Sequence, residues 1–159
     1  MLLEAFKQHE KMHLMIVGNW NHSKYGKNLK QKYQGVKNLT LIDPIYDQVQ
    51  LDELRSNCAI YLHAFTVGGT NPSLVEAMNL GLLIMTYDVE YNRETTEGKA
   101  LYFKDDQSLL NLLIDFEEGR IDVDKYKNDM LQVADRRYKW DIITNKYSRV
   151  FRSCKSRRK

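Results

Sequence analysis

The sequence is poor in the residues that cross-link or interrupt a chain. Two cysteines, Cys58 and Cys154, stand far apart, and His63 is the only histidine near either. Neither a disulfide framework nor a zinc site is written in that spacing. Cys58 falls in the apolar run CAIYLH and is expected to be a core thiol, so a reducing, cytoplasmic setting fits. The two prolines and eight glycines form no linker or low-complexity block. No apolar run approaches the roughly 18 residues of a membrane span, and MLLEAFKQHEKM lacks the cationic start and long apolar centre of a signal peptide. Charge of neither sign dominates: the formal net charge is +3 with 28% charged residues. That balance argues against disorder and against nucleic acid as a partner. The excess is local, because RSCKSRRK at the C-terminus carries five basic side chains. Such a tail is a solvated end, or a point of attraction to an anionic membrane surface.

What is present is alternation. Helical spacing in LLEAF, Ser23 to Tyr33, Asp47 to Asn57 and PSLVEAMNLG separates the strand-like runs HLMIV (13–17), LTLI (39–42), AIYLH (59–63) and LLIMT (82–86). The stretch YDVEYNRETTEGK reads as a loop, LYF (101–103) as a short strand, and Asp106 to Phe116, Asp122 to Tyr138 and Trp140 to Phe151 as amphipathic helices packed on the core. Near-continuous apolar strands between helices imply a doubly wound, Rossmann-like α/β fold: a parallel sheet with helices on both faces and a helical C-terminal end. The expected organisation is one domain, 1–151, followed by a basic tail, 152–159.

One stretch points to chemistry, HAFTVGGTNPSLVEAMNLG from His63 to Gly81. It sits after a strand and before a helix, where parallel sheets bind ligands. Gly68 and Gly69 permit a close backbone approach. Thr70, Asn71 and Ser73 are candidate caps, and the N–H groups of Ser73, Leu74 and Val75 are expected to face a ligand. The positive end of the helix favours a phosphate. Glu76, one turn in, would be repelled by phosphate but suits hydroxyl donors such as a ribose. A nucleotide carrying a sugar is therefore a better ligand than inorganic phosphate; a plain glycine-rich turn ahead of a capped helix is the simpler alternative. His63, ending the strand, can reach a phosphate or a sugar hydroxyl. His9 and His13 lack a third ligand, so no metal is expected.

The order of elements, and above all VGGTNPSLVEAMNLG before an apolar strand, resembles the C-terminal, donor-binding half of retaining B-type glycosyltransferases, glycosyl transferases group 1, and within them the rhamnosyltransferase-like members. The resemblance implies transfer of a hexose or deoxyhexose, rhamnose being one candidate, from a nucleotide-diphosphate sugar to a saccharide or lipid-linked acceptor in cell-surface polysaccharide synthesis, with no metal or other cofactor. It implies that an N-terminal acceptor domain is missing from this chain, which alone would be inactive, and that the enzyme works in the cytoplasm at the inner membrane surface. In that family two glutamates with seven residues between them line the donor site. Glu76 matches the second, for the ribose, and Gly68 stands where the first belongs. Gly18 and Asn19 match a nucleotide-side strand end, Ile45 lies in the base-contacting loop beside Tyr46, and Arg93 is placed to balance phosphate charge. No catalytic residue is assigned. The missing acid leaves open a nucleotide-binding or regulatory module without transferase activity. A flavodoxin-like or response-regulator-like protein is a more distant alternative.

Overall fold

A computed structural model describes residues 1–156 and realises the alternation of strands and helices. The remaining residues of the expected basic tail, 157–159, lie outside the described ones. The chain divides into two compact units, Met1–Cys58 with Tyr102–Ile121, and Ala59–Leu101 with the residues from Asp122 onward.

The first unit opens with helix α1 (Leu2–Gln8), whose Leu3, Ala5 and Phe6 are buried. They pack toward Leu109 and Leu113 of a helix at Asp106–Glu117. The end of α1 is tied to the sheet by Asn38, a buried residue whose Nδ2 donates to the carbonyls of Phe6, Met12 and His9 at 2.7, 3.1 and 3.2 Å. Three acceptors share two hydrogens, so turn, helix end and strand entry are fixed by one amide. Strand β1 (Leu14–Val17) runs parallel to β2 (Leu39–Ile42) in the register Leu14↔Leu39 to Val17↔Ile42. Between them lies α2 (Lys24–Tyr33), capped by Ser23, which accepts from the Gly26 N–H. The Glu4 carboxylate accepts from Lys32 Nζ at 2.7 Å and from the Tyr33 hydroxyl, and these two bonds pull its pKa down to about 2. Helix α3 (Gln48–Ser56), capped by Asp47, completes this stretch.

The second unit holds strand β3 (Tyr61–His63), helix α4 (Pro72–Asn79) and strand β4 (Ile84–Tyr87), with β3 and β4 parallel and Tyr61↔Ile84 to His63↔Thr86 in register. The sheet order is β3-β4-β5, where β5 is Leu101–Phe103. With α5 (Glu90–Thr96), the Asp106–Glu117 helix becomes α6, and α7 (Val123–Arg137) and α8 (Trp140–Ser156) close the chain. Helices α4 and α7 pack through Leu74, Ala77, Met78, Met130, Val133 and Ala134, all fully buried. Gly81 ends α4 at φ 63°, and a Cβ there would lie 3.0 Å from the Leu131 side chain, so the left-handed turn and the tight contact both call for glycine.

Four expectations change. Residues 90–96 form α5 rather than a loop. The helix lacks a side-chain cap at Val89 and ends on a left-handed Glu97, so it carries neither usual boundary signal. Thr95 and Thr96 instead donate to the carbonyls of Tyr91 and Asn92. Cys58 is only half-buried, in the turn before a β3 that starts at Tyr61. Helix α8 runs through Ser156, into the stretch expected as tail. Its apolar stripe is not core: Ile142 and Ile143 are half-buried, while Trp140, Tyr147, Val150 and Phe151 are exposed, the rings of Tyr147 and Phe151 lying 6.3 Å apart.

Trp20, buried in the turn after β1, donates from Nε1 to the Ile42 carbonyl at 2.8 Å and packs over α2. A Cβ on Gly26 would lie 2.6 Å from the Trp20 backbone oxygen. Gly26→Ala is therefore expected to destabilise the chain by about 1–3 kcal/mol, the usual cost of overpacking, and to weaken the near-ultraviolet circular dichroism of Trp20. An unchanged melting temperature would show that the turn yields freely.

Candidate functional site

The second unit gathers most of the sequence-predicted residues at the carboxyl ends of β3 and β4. His63 closes β3 with its side chain 1% exposed. Its ring stacks between those of Tyr61 and Phe65, at 6.2 and 5.0 Å between centroids, because alternate residues of a strand share one face. Neither ring nitrogen has a hydrogen-bond partner among the described residues. Burial pushes the imidazole pKa down to about 4, so it is neutral at physiological pH.

The glycine loop follows. Phe65 through Thr70 are exposed, and Gly68 sits at φ 133°, a conformation that side chains avoid. Asn71 is the cap of α4: its Oδ1 accepts from the Ser73 N–H at 2.9 Å, and its carbonyl accepts from the N–H groups of Leu74 and Val75 at 3.1 and 3.2 Å. Pro72 fills the first turn. The N–H groups of Ser73, Leu74 and Val75, expected to face a ligand, are thus already satisfied, and the Leu74 side chain is in the core. One step earlier, the N–H groups of the loop, those of Gly68, Gly69 and Thr70 among them, make no hydrogen bond among the described residues. The open backbone of the loop and the positive end of α4 together make an anion-compatible surface. Glu76 is half-buried, one turn into α4.

Across from β3, Thr86 donates from Oγ1 to the His63 carbonyl at 3.1 Å. Asn92, fully buried in the first turn of α5, donates from Nδ2 to the carbonyls of Tyr87 at 2.9 Å and Phe65 at 3.3 Å, while its Oδ1 has no partner among the described residues. Arg93, expected to balance phosphate charge, forms an ion pair within the protein. Its guanidinium holds Asp88, with Nη2 2.9 Å from Oδ2. Sequence reasoning missed the structural part of Asn92, Thr86 and Asp88, since reading 87–99 as loop removed the helix that orients two of them.

The other predicted residues lie in the first unit. Gly18 ends β1 and donates to the Ile42 carbonyl at 3.0 Å, Asn19 is exposed in the next turn, and Ile45 is half-buried between β2 and α3 beside an exposed Tyr46. Among the described residues no three His, Cys, Asp or Glu side chains cluster as a metal site, and no helix is long and apolar enough to cross a membrane.

Parallel strands, a glycine loop feeding a capped helix and flanking helices define a Rossmann-like α/β class of domain. Residues 1–133 match the family model of glycosyl transferases group 1, and the chain belongs to that family. The fold is shared with HepE of Anabaena solved with UDP (TM-score 0.82, 18% identity, 96% of this chain and 44% of that one). It is shared too with sucrose-phosphate synthase of Thermosynechococcus elongatus (0.82, 17%, 98% and 41%). The pneumococcal O-GlcNAc transferase GtfA, solved with UDP and GlcNAc, is similar at 0.71 and 18%, over 94% of this chain and 31% of that one. The chain thus spans less than half the length of these proteins. A comparison with curated proteins found no match.

The buried imidazole has a measurable consequence. Its folded pKa of about 4 lies below the ordinary 6.5, so the unfolded chain binds the extra proton first. Its contribution to stability is complete above about pH 6.5, falls as pH drops, and is gone below about 4, a loss on the order of 3 kcal/mol. Urea unfolding between pH 7 and 4 should show this decline, and His63→Phe should remove that part of it. Equal pH slopes for both proteins would mean that the ring is hydrated.

Proposed function

We propose that this chain is the donor-binding half of a glycosyltransferase, holding a nucleotide-diphosphate sugar for transfer of its hexose or deoxyhexose, rhamnose among the candidates, to a saccharide or lipid-linked acceptor in cell-surface polysaccharide synthesis. The observation that carries this reading is the row of unpaired N–H groups on Gly68, Gly69 and Thr70 in front of α4, with Glu76 one turn behind. The N–H groups and the helix end meet the diphosphate and stabilise the negative charge that grows on it as the glycosidic bond breaks. Glu76 accepts hydroxyl hydrogens from the ribose. Arg93 would add positive charge on releasing Asp88. No metal enters this reading, because backbone donors and the helix dipole supply the charge compensation.

Retention at the anomeric carbon is part of the proposal, as are an acceptor-binding half supplied by further chain and work at the cytoplasmic membrane surface. The exposed apolar stripe of α8, beside Lys146, Arg149 and Arg152, supports a peripheral contact. Gly68 also favours a second reading. Without an acid there, the site can hold a nucleotide without transferring its sugar.

Calorimetric titration with UDP, GDP and dTDP tests the donor site. One of them should bind at millimolar or tighter affinity, and Glu76→Ala should weaken it about tenfold or more, the value of a charge-assisted hydrogen bond. Binding that ignores the substitution would remove Glu76 from the site; binding of none would refute the reading. Sugar transfer by the protein with its acceptor half would separate the first reading from the second.

A further inference from the structure

The second unit has unfinished hydrogen bonding behind the glycine loop. His63 has two unpaired ring nitrogens and Asn92 an unpaired Oδ1, both residues being buried. Phe65 links them, its ring stacked on the imidazole at 5.0 Å and its carbonyl accepting from Asn92 Nδ2 at 3.3 Å. Buried polar groups normally find partners, and orphaned ones mark places where a partner is supplied from outside.

The chemistry of that partner follows from the donor and acceptor count. A neutral imidazole offers one N–H donor and one acceptor, and the amide oxygen is a second acceptor. The three atoms therefore ask for one acceptor and two donors. A diphosphate oxygen accepts only, so it could satisfy the imidazole N–H and nothing else. A uncharged imidazole also adds no attraction for an anion. Hydroxyl groups both donate and accept, and neighbouring hydroxyls on a sugar ring meet the whole set. The ribose already has Glu76, whereas Gly68 leaves the hexose without a carboxylate.

We propose that His63 and Asn92 form a specificity subsite that reads hydroxyl groups of the donor's hexose, in place of an acid at position 68. The inference rests on the donor-site reading above. Phe65 is the cover. It is 56% exposed and stands at the start of the exposed loop, with its ring against the imidazole at 5.0 Å. Moving it off the ring opens the imidazole to a ligand seated on the Gly68–Gly69 backbone.

The test separates sugar from diphosphate. With the chain labelled at its histidine nitrogens, long-range proton–nitrogen spectra are recorded with UDP, GDP and dTDP, then with UDP-glucose, GDP-mannose and dTDP-rhamnose. The His63 ring nitrogens should keep their shifts with the diphosphate that binds and move with a sugar conjugate of the same base. In titrations that conjugate should bind at least tenfold more tightly than its diphosphate, and His63→Phe or Asn92→Leu should abolish this difference while leaving diphosphate affinity within about twofold. The wild-type spectra decide the matter even if a variant misfolds. Ring shifts that respond to the diphosphate alone would assign His63 to the phosphates. Shifts unmoved by a saturating conjugate would make the pair a structural water site. Either result overturns the inference and leaves the donor site intact, whereas failure of every diphosphate to bind removes both.

Discussion

The mouth of the second unit depends on one amide. Asn92 Nδ2 holds the carbonyls of Tyr87 and Phe65, the residues at which the chain leaves β4 and β3, so one buried side chain sets the positions of both strand exits. Without it the Phe65 carbonyl would lose this donor and the Tyr87 carbonyl would keep only the Val89 N–H, and a buried bond lost in this way costs about 1–3 kcal/mol. The exits in turn fix where the glycine loop starts and where α5 begins. Asn38 has the same office in the first unit, gathering three carbonyls around the end of α1 and the entry to β1. An asparagine can do this because its amide is uncharged and brings two donors on one short, stiff side chain.

That constraint explains what could and could not be read from the sequence. The strands were legible because each is an apolar run between polar caps, and α4 because Asn71, Pro72 and Gly81 mark its ends with residues whose geometry is nearly obligatory. The glycine loop ahead of it was legible for the same reason. Helix α5 was not, since its boundaries rest on Val89 and on a Glu97 at positive φ, whose carboxylate is paired with Arg136 and Arg137 from a helix far along the chain. The pairing of Arg93 with Asp88 follows once the helix exists. The exposed stripe of α8 has core-like periodicity, and periodicity alone does not tell whether a covering surface is present.

Capping also decides which groups remain to bind an anion. A helix start has unused N–H groups, but Asn71 consumes those of Ser73, Leu74 and Val75 through its side chain and its carbonyl. The helix dipole survives this, while the directional donors move upstream to residues that glycine leaves open. Such a shift is available only where no Cβ stands in the way. Nothing lies within 4 Å of a Cβ built on Gly68 or Gly69, so space is ample, and at Gly68 it is the backbone conformation that excludes other residues. An acid at 68 would have to adopt a strained φ or rebuild the loop.

The chain therefore divides its polar work by charge. Backbone N–H groups on the open loop suit an anion, and they keep their strength at any pH. Behind them, burial strips His63 of its proton and leaves a neutral donor and acceptor, which an anion cannot fully use. A charged imidazole in the same place would bind phosphate more tightly and discriminate among sugars less, because a strong Coulombic attraction is indifferent to hydroxyl geometry. In the proposed hexose subsite, discrimination comes instead from the penalty of leaving buried groups unpaired when the wrong ligand arrives. On that proposal, the stability forgone at the unpaired atoms of His63 and Asn92 is the source of selectivity among sugars.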